Sequence, residues 1–396
     1  MIARYILDTR TATARFPGIG RYVRNLVPAL VSQSSPDEQW VLLWNPRDPT
    51  AWDPAELAGP QVAVIPVPVS PFALGQQWAV PRQLRRLAWG GRVEDLNRPA
   101  ARVPSLYHST YYLMPYWPGL PTVLTVYDLI AMRLPHTVSL RARLLARIAT
   151  ALALRAAAHV IAISQATRAD LLSHFPRSPD QVTVVPLAPD PRFRPQPPPE
   201  IARVRARYGL PEAYFLYLGI NKPHKNLVHL LRAYRGLATT QAPGGGPPPA
   251  LVIAGPWDSR YPQPRQEARA LGLGHAVRFL GPVAEEDLAG LYSGCTAFVF
   301  PSLYEGFGLP VLEAMACGAA VICGNRSSLP EVAGDAALLV DPMSVEAWTQ
   351  ALARVWRDPG LAADLRERGR RRAARFTWER TARETLAVYR RALEGL

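Results

Sequence analysis

Short β-rich runs alternate with helical patterns from one end of the chain to the other, and this alternation restricts the fold to parallel sheets covered by helices. In the first half ARYILD, QVAVIPV, SLYH, PTVLTVYD, AHVIAIS and QVTVVP read as strands, with helices over 21–32, 141–157 and 165–174 among them. A second series starts at YFLYLG and continues through ALVIAG, AVRFLG, AFVFP and AAVICG. Between the series lies PLAPDPRFRPQPPPE, whose proline density excludes helix and sheet interior alike. The expected organisation is a first domain over 1–185, a linker over 186–200, a second domain over 201–376 and a closing helix over 377–396. That last helix shows apolar spacing at Trp378, Ala382, Leu386, Tyr389 and Leu393. The fold class is α/β, with two doubly wound domains whose strand carboxyl ends bound a central cleft, where ligands of such folds bind. The Pro/Gly tract at 242–249 reads as a surface loop.

Composition agrees with two large cores. The chain has 396 residues, 48% of them hydrophobic and 19% charged, enough to bury two domains and far from the profile of a disordered protein. Cys295, Cys317 and Cys323 form no CxxC pair and no Cys/His metal spacing, so they read as buried thiols of a reducing compartment, and a cytoplasmic location is expected. Arg4 and Asp8 interrupt the N-terminal apolar run and exclude a secretory signal, and no stretch is long and apolar enough to span a bilayer.

The formal net charge of +14 invites a polyanion as partner. No helix-turn-helix, zinc finger or aromatic RNA platform accompanies the charge, and of 45 basic residues only Lys222 and Lys225 are lysines. This bias fits a GC-rich genome, and no nucleic-acid partner is expected. A weak peripheral contact with a membrane surface remains, carried by SLRARLLARIATALALRA with arginines at 141, 143, 147 and 155. These do not share one helical face, so a partly buried helix is the plainer alternative.

The most informative stretch is FVFPSLYEGFGLPVLEAMACGAAVICGN. A strand ends, EGFG forms a loop, Pro310 takes the first helical position and Gly318 stops a short helix. Glu305 then lies at the strand's carboxyl end and Glu313 in the first turn of the helix. Gly306 and Gly308 let backbone approach a ligand, and a helix start favours anions. Two carboxylates beside such a site suit a ligand rich in hydroxyls, such as a sugar or ribose. The plain alternative is a helix-dipole partner beside a solvated loop residue.

At the head of the second series YFLYLG leads into INKPHKNL and an amphipathic helix. Lys222, His224 and Lys225 cluster before a helix N-terminus, where cations are disfavoured unless an anion arrives. A phosphate resolves that conflict, and solvated loop charges are the plain alternative. Near the N-terminus Gly18 and Gly20 fall in the loop before the first helix, but Val23 stands where G-x-G-x-x-G requires glycine, so a dinucleotide cofactor is not expected.

Together these segments resemble a family 4 glycosyltransferase of GT-B fold, two Rossmann-like domains facing a cleft. The resemblance runs from PGIGRY through LYHSTY, TVYDL, AISQATRADL, VVPLAPDPRFRP, LGINKPHKNL and EGFGLPVLE to GNRSSLPEVAGDAALLVDP and FTWERTARETLAVY. It implies catalytic roles for His108, Lys225 and Glu305, with Glu305 on the donor sugar, Glu313 on the ribose and Lys225 on the diphosphate. The backbone from Gly18 to Gly20 would face the sugar phosphate. Asn221, Lys222, Leu280, Gly306, Phe307, Gly308 and Leu309 complete the implied donor site. His108, in LYHSTYYLMP, would stand near sugar and acceptor, with YYLMPYW as an acceptor-facing loop or as aromatic core. Relatives often carry an arginine where Ile220 or His224 stands and His-Asp where Tyr127 and Asp128 stand. Lys222 is the candidate to replace the first, and Asp128 is open between catalysis and buried capping.

The reaction so implied is retaining transfer of a hexose from a nucleotide diphosphate to a glycan or lipid-linked acceptor, as in polysaccharide biosynthesis, with mannose from GDP-mannose suggested by KPHKNL. The chain has no Asp-x-Asp pair, Gly-Lys dipeptide, His-Glu-x-x-His or Gly-x-Ser-x-Gly. The expectation is therefore no metal and no cofactor, the leaving group being held by lysines and helix N-termini. A phosphorylase or sugar-nucleotide epimerase of the same fold is the alternative, and a basic non-enzymatic nucleic-acid-binding protein the second.

Overall fold

A computed structural model describes residues 3–13, 17–48, 50, 52–89, 103–238 and 246–394. The chain divides into two compact units, Met1–Leu187 together with Thr377–Leu396, and Ala188–Phe376.

The first unit holds β1 (Ala3–Asp8), β2 (Glu38–Trp44), β3 (Val62–Pro66), β4 (Ser105–Ser109), β5 (Thr122–Val126), β6 (His159–Ala162) and β7 (Val182–Val184). They form one sheet in the order β3-β2-β1-β4-β5-β6-β7 with parallel pairing throughout. Its helices are α1 (Pro17–Ser32), α2 (Gln76–Ala88), α3 (Ile130–Arg133), α4 (Leu140–Ala156) and α5 (Gln165–His174). Serine side chains start two of them: Ser139 accepts from the Ala142 amide at α4 and Ser164 from the Thr167 amide at α5.

The second unit runs α6 (Pro198–Tyr208), β8 (Tyr214–Leu218), α7 (Leu227–Ala238), β9 (Ala250–Ala254), α8 (Gln263–Ala270), β10 (Val277–Gly281) and α9 (Leu288–Gly294). It continues with β11 (Ala297–Phe300), α10 (Leu309–Ala316), β12 (Val321–Gly324), α11 (Leu329–Ala333), β13 (Leu338–Val340), α12 (Val345–Arg357) and α13 (Pro359–Ala373). Its parallel sheet has the order β10-β9-β8-β11-β12-β13. The last helix, α14 (Trp378–Glu394), joins the first unit. There the Tyr389 ring packs 5.0 Å from that of Tyr5 on β1, and Arg390 bonds Glu38 of β2 at 2.9 Å.

In each sheet the strand order reverses once, between β1 and β4 and between β8 and β11. These switch points open crevices at the strands' carboxyl ends. The central strands are apolar and buried because helices flank such sheets on both faces.

Local details correct the sequence reading. Strands β2 and β13 were not anticipated. Helix α1 begins at Pro17, so Gly18 and Gly20 lie in its first turn and not in a preceding loop. The proline tract is not free of helix either, because α6 starts at Pro198, where a proline's missing N–H costs nothing in the first turn. From Ala188 on the tract belongs to the second unit: Phe193 is buried with its ring 5.9 Å from Tyr292, and the Gln196 amide donates to Ser293 Oγ. Within the tract at 242–249, residues 242–245 lie outside the described residues. Among the described residues no helix is long and apolar enough to cross a membrane.

Candidate functional site

At the switch point of the second sheet, β8 and β11 send their carboxyl-end loops to the same place. After β8 the chain makes one 3-10 turn over Pro223–Lys225, and Asn226 takes a left-handed conformation at φ 59° before α7 begins. This turn presents Lys225. After β11 the EGFG loop presents Glu305, and the two meet: Lys225 Nζ lies 2.6 Å from Glu305 Oε1. Both side chains are mostly buried, 14% and 13% exposed. The ammonium also stands 5.1 Å from the centroid of the Phe300 ring, which stacks on Tyr217.

The loop is held from beneath by two serines of the segment after β12. Ser328 Oγ donates to the carbonyls of Glu305 at 2.9 Å and Phe307 at 2.7 Å, and Ser327 Oγ donates to the Glu305 carbonyl at 2.5 Å. Gly308 caps α10 at φ 105°, and a Cβ there would come within 2.8 Å of Leu329 Cδ2. Only glycine meets both demands. These serines were missed as support for the site, although Ser-Ser before Leu-Pro-Glu is a local start signal for α11.

Glu313 sits differently from expectation. Helix α10 starts at Leu309, with Pro310 second, so Glu313 is the fifth helical residue and lies in the second turn. Its carboxylate is 1% exposed and accepts from the Tyr292 hydroxyl at 3.2 Å. Phe307 is buried, with its ring 6.0 Å from Phe376, while Gly306 and Leu309 are half-buried.

Four further residues lie in or around the expected donor site, and of these the Asn221 side chain is engaged elsewhere. Asn221 donates to the carbonyls of Asp258 and Tyr261 and accepts from the Asp258 amide, which pins one loop to another. Leu280 lies on β10, the edge strand two places from β8. His224 is buried, and burial together with Lys225 and Lys222 pushes it down to about 2, so it adds no positive charge to the cluster. Lys222 is exposed, and its charge helps hold the Asp258 carboxyl down at about 2, after the larger contribution of Arg260.

In the first unit His108 is held inside the framework. The ring lies fully buried on β4, with Nδ1 2.5 Å from the Tyr389 hydroxyl and Nε2 2.8 Å from Thr125 Oγ1. Burial lowers it to about 3. Both ring nitrogens are hydrogen-bonded, so His108 links the sheet to α14. Asp128 is exposed, and its carboxylate accepts from the Ile130 amide at 3.0 Å, a cap but not a buried one. In YYLMPYW, Met114 enters the core and Trp117 stands 71% exposed.

The β1/β4 switch point holds a buried ion pair that sequence reasoning missed. Arg10 bonds Asp8 at 2.8 and 2.6 Å, and the Tyr107 hydroxyl donates to Asp8 at 2.7 Å. The pair anchors the segment leading to α1, where Gly18 is exposed and Gly20 is buried near the Thr13 carbonyl.

Comparison with known proteins gives this geometry its family. Residues 17–188 match the model described as a glycosyl transferase 4-like domain, and residues 201–372 match that of glycosyl transferases group 1. D-inositol 3-phosphate glycosyltransferase of Saccharomonospora viridis is 32% identical over 86% of this chain and 82% of its own length. The chain belongs to the family 4 glycosyltransferases.

Within this family, O-antigen chain mannosyltransferase B of Escherichia coli is 35% identical over 58% of this chain. That match spans 60% of the relative's own length. Among solved structures, Anabaena HepE in complex with UDP and glucose superposes with a TM-score of 0.73 over 98% of this chain and 99% of its own, at 18% identity, a likeness of GT-B fold. The family 4 glycosyltransferase therefore places Lys225 and Glu305 together, sets Glu313 one position deeper in the helix, and holds the side chains of His108 and Asn221 in internal hydrogen bonds.

Proposed function

We propose that this glycosyltransferase moves a hexose, mannose from GDP-mannose, from a nucleotide diphosphate to a glycan or lipid-linked acceptor, with retention at the anomeric carbon and without a metal ion. The observation that carries the reading is the Lys225–Glu305 pair at the β8/β11 switch point, beside the N-terminus of α10. An incoming diphosphate offers Lys225 a doubly charged partner in place of Glu305. The freed carboxylate can then accept from sugar hydroxyls. The ammonium and the helix start stabilise the charge that develops on the leaving diphosphate, the work a metal does elsewhere. Mannose is favoured because the matched relatives include the O-antigen chain mannosyltransferase.

A donor screen by thermal shift tests the reading. GDP-mannose should raise the melting temperature more than UDP-glucose, and the configuration of the linkage formed, read by NMR, should match that of the donor. A larger shift with UDP-glucose overturns the donor, an inverted product overturns the stereochemistry, and phosphate consumption would favour the phosphorylase alternative.

A further inference from the structure

Helix α4 buries only Thr150, Ala153 and Leu154, all in its second half. Its first half stands on the surface and is apolar: Leu140 is 71% exposed, Leu145 68%, Leu144 56% and Ile148 48%. At 3.6 residues per turn these four side chains fall within about 140° of arc, one continuous stripe. A soluble surface does not leave four such residues in a row without a use.

The charge along this stretch of chain is of one sign. Arg141, Arg143, Arg147 and Arg155 lie on the same helix, and no acidic residue occurs between Asp128 and Asp170. Arg141 and Arg155 fall within the arc of the stripe and Arg147 beside it, where long stems can lie along apolar surface with the guanidinium outward. The carboxyl edge of the same sheet carries more exposed apolar bulk, because Trp78 on α2 and Trp117 after β4 are 72% and 71% exposed. Gln77 ties these two segments together by donating to the Met114 carbonyl and accepting from the Tyr116 amide. Leucines with arginines match the layered chemistry of a bilayer interface, and the same unit exposes tryptophans that suit it.

We infer that the first half of α4 is a docking surface for an anionic lipid bilayer. A second copy of the chain fits poorly, since a two-fold contact through this stripe would set arginines against arginines. A nucleic acid would leave the leucines unserved. The inference stands apart from donor and acceptor, and its test contains neither.

The test is co-sedimentation of the whole protein with vesicles of phosphatidylcholine alone and of phosphatidylcholine with phosphatidylglycerol in equal parts. The protein should pellet with the anionic vesicles only, and salt should release it. The double variant Arg141→Gln, Arg147→Gln should lower the partition coefficient about 30-fold, and Leu144→Ser, Leu145→Ser, Ile148→Ser should lower it at least about tenfold. All five positions are solvent-facing, and an unchanged melting curve confirms that each variant folds. Equal pelleting with both vesicle types, or a triple variant that binds like the parent, overturns the inference. So does a dimer abolished by the triple variant, or retention on duplex DNA, in the absence of vesicle binding.

Discussion

The ammonium of Lys225 and the carboxylate of Glu305, 80 positions apart in the chain, share a hydrogen bond of 2.6 Å. Each is the other's counter-ion until a ligand arrives, so neither charge is left bare in a half-buried site.

Replacing Lys225 by alanine removes a charge-assisted bond to the diphosphate, worth on the order of 1.5 to 3 kcal/mol. Turnover at saturating donor should fall at least about tenfold by the same conversion. Steady-state kinetics decides the matter, and turnover near that of the parent would remove Lys225 from the reaction. Lys222→Ala should have the smaller effect, since Lys222 is exposed and unpaired with Glu305.

Glu313→Gln keeps an acceptor for the Tyr292 hydroxyl but removes the carboxylate's charge. If Glu313 serves the ribose, calorimetry with the cognate nucleotide should show a dissociation constant raised about tenfold or more, in line with a hydrogen bond to an ionised group. A melting temperature lowered with affinity unchanged would make this carboxylate part of the helix packing alone.

Gly308→Ala should distort the EGFG loop. A side chain must enter a left-handed conformation at φ 105° and push Leu329 aside from 2.8 Å, a cost of about 1 to 3 kcal/mol for the backbone alone. Donor affinity should drop with stability, and a variant as stable as the parent would show that the loop accommodates a Cβ.

Transfer should survive excess EDTA. Abolition by EDTA and recovery with a divalent ion would transfer stabilisation of the leaving group from Lys225 to a metal. A modest gain from magnesium alone is compatible with faster product release, since free nucleotides bind it.

Acid should destabilise the protein through its buried histidines. His108 and His159 are held near 3 and 4, chiefly by burial, against an ordinary value of 6.5. Below pH 6.5 the unfolded chain therefore takes up protons that the folded chain refuses, and stability falls until the folded pKa is reached. One histidine contributes a slope approaching about 1.4 kcal/mol per pH unit in that window. His108→Gln should flatten the dependence between pH 6.5 and 4 in denaturant titrations and leave turnover per folded molecule unchanged. A large loss of turnover in the folded variant would restore His108 to the chemistry.

The strand series and Glu305 were legible because their signals are local: apolar runs, a glycine loop, a proline near a helix start. Glu313 was set one position early because Pro310 occupies the second helical position and Leu309 the first. Strand β2 was hidden by Glu38 and Gln39, polar residues whose partners lie far off in sequence. Glu38 accepts from Tyr5 and Arg390, and Gln39 from Arg4. The hydrogen bond of His108 was hidden for the same reason, since its partner Tyr389 stands 281 positions later. No window around LYHSTY contains that phenol.

The placement of α14 sets an order of events during synthesis. Residues 3–187 leave the ribosome before the second unit, yet Tyr389 and Thr381, which bond His108 and the Pro186 carbonyl, emerge only after it. The second unit is translated whole in the interval. The earlier domain therefore waits, with the face around Tyr5 and His108 uncovered, until the later one has been made. A nascent chain stalled before residue 377 should carry a finished second unit and an unsealed first one, the species on which a chaperone would act.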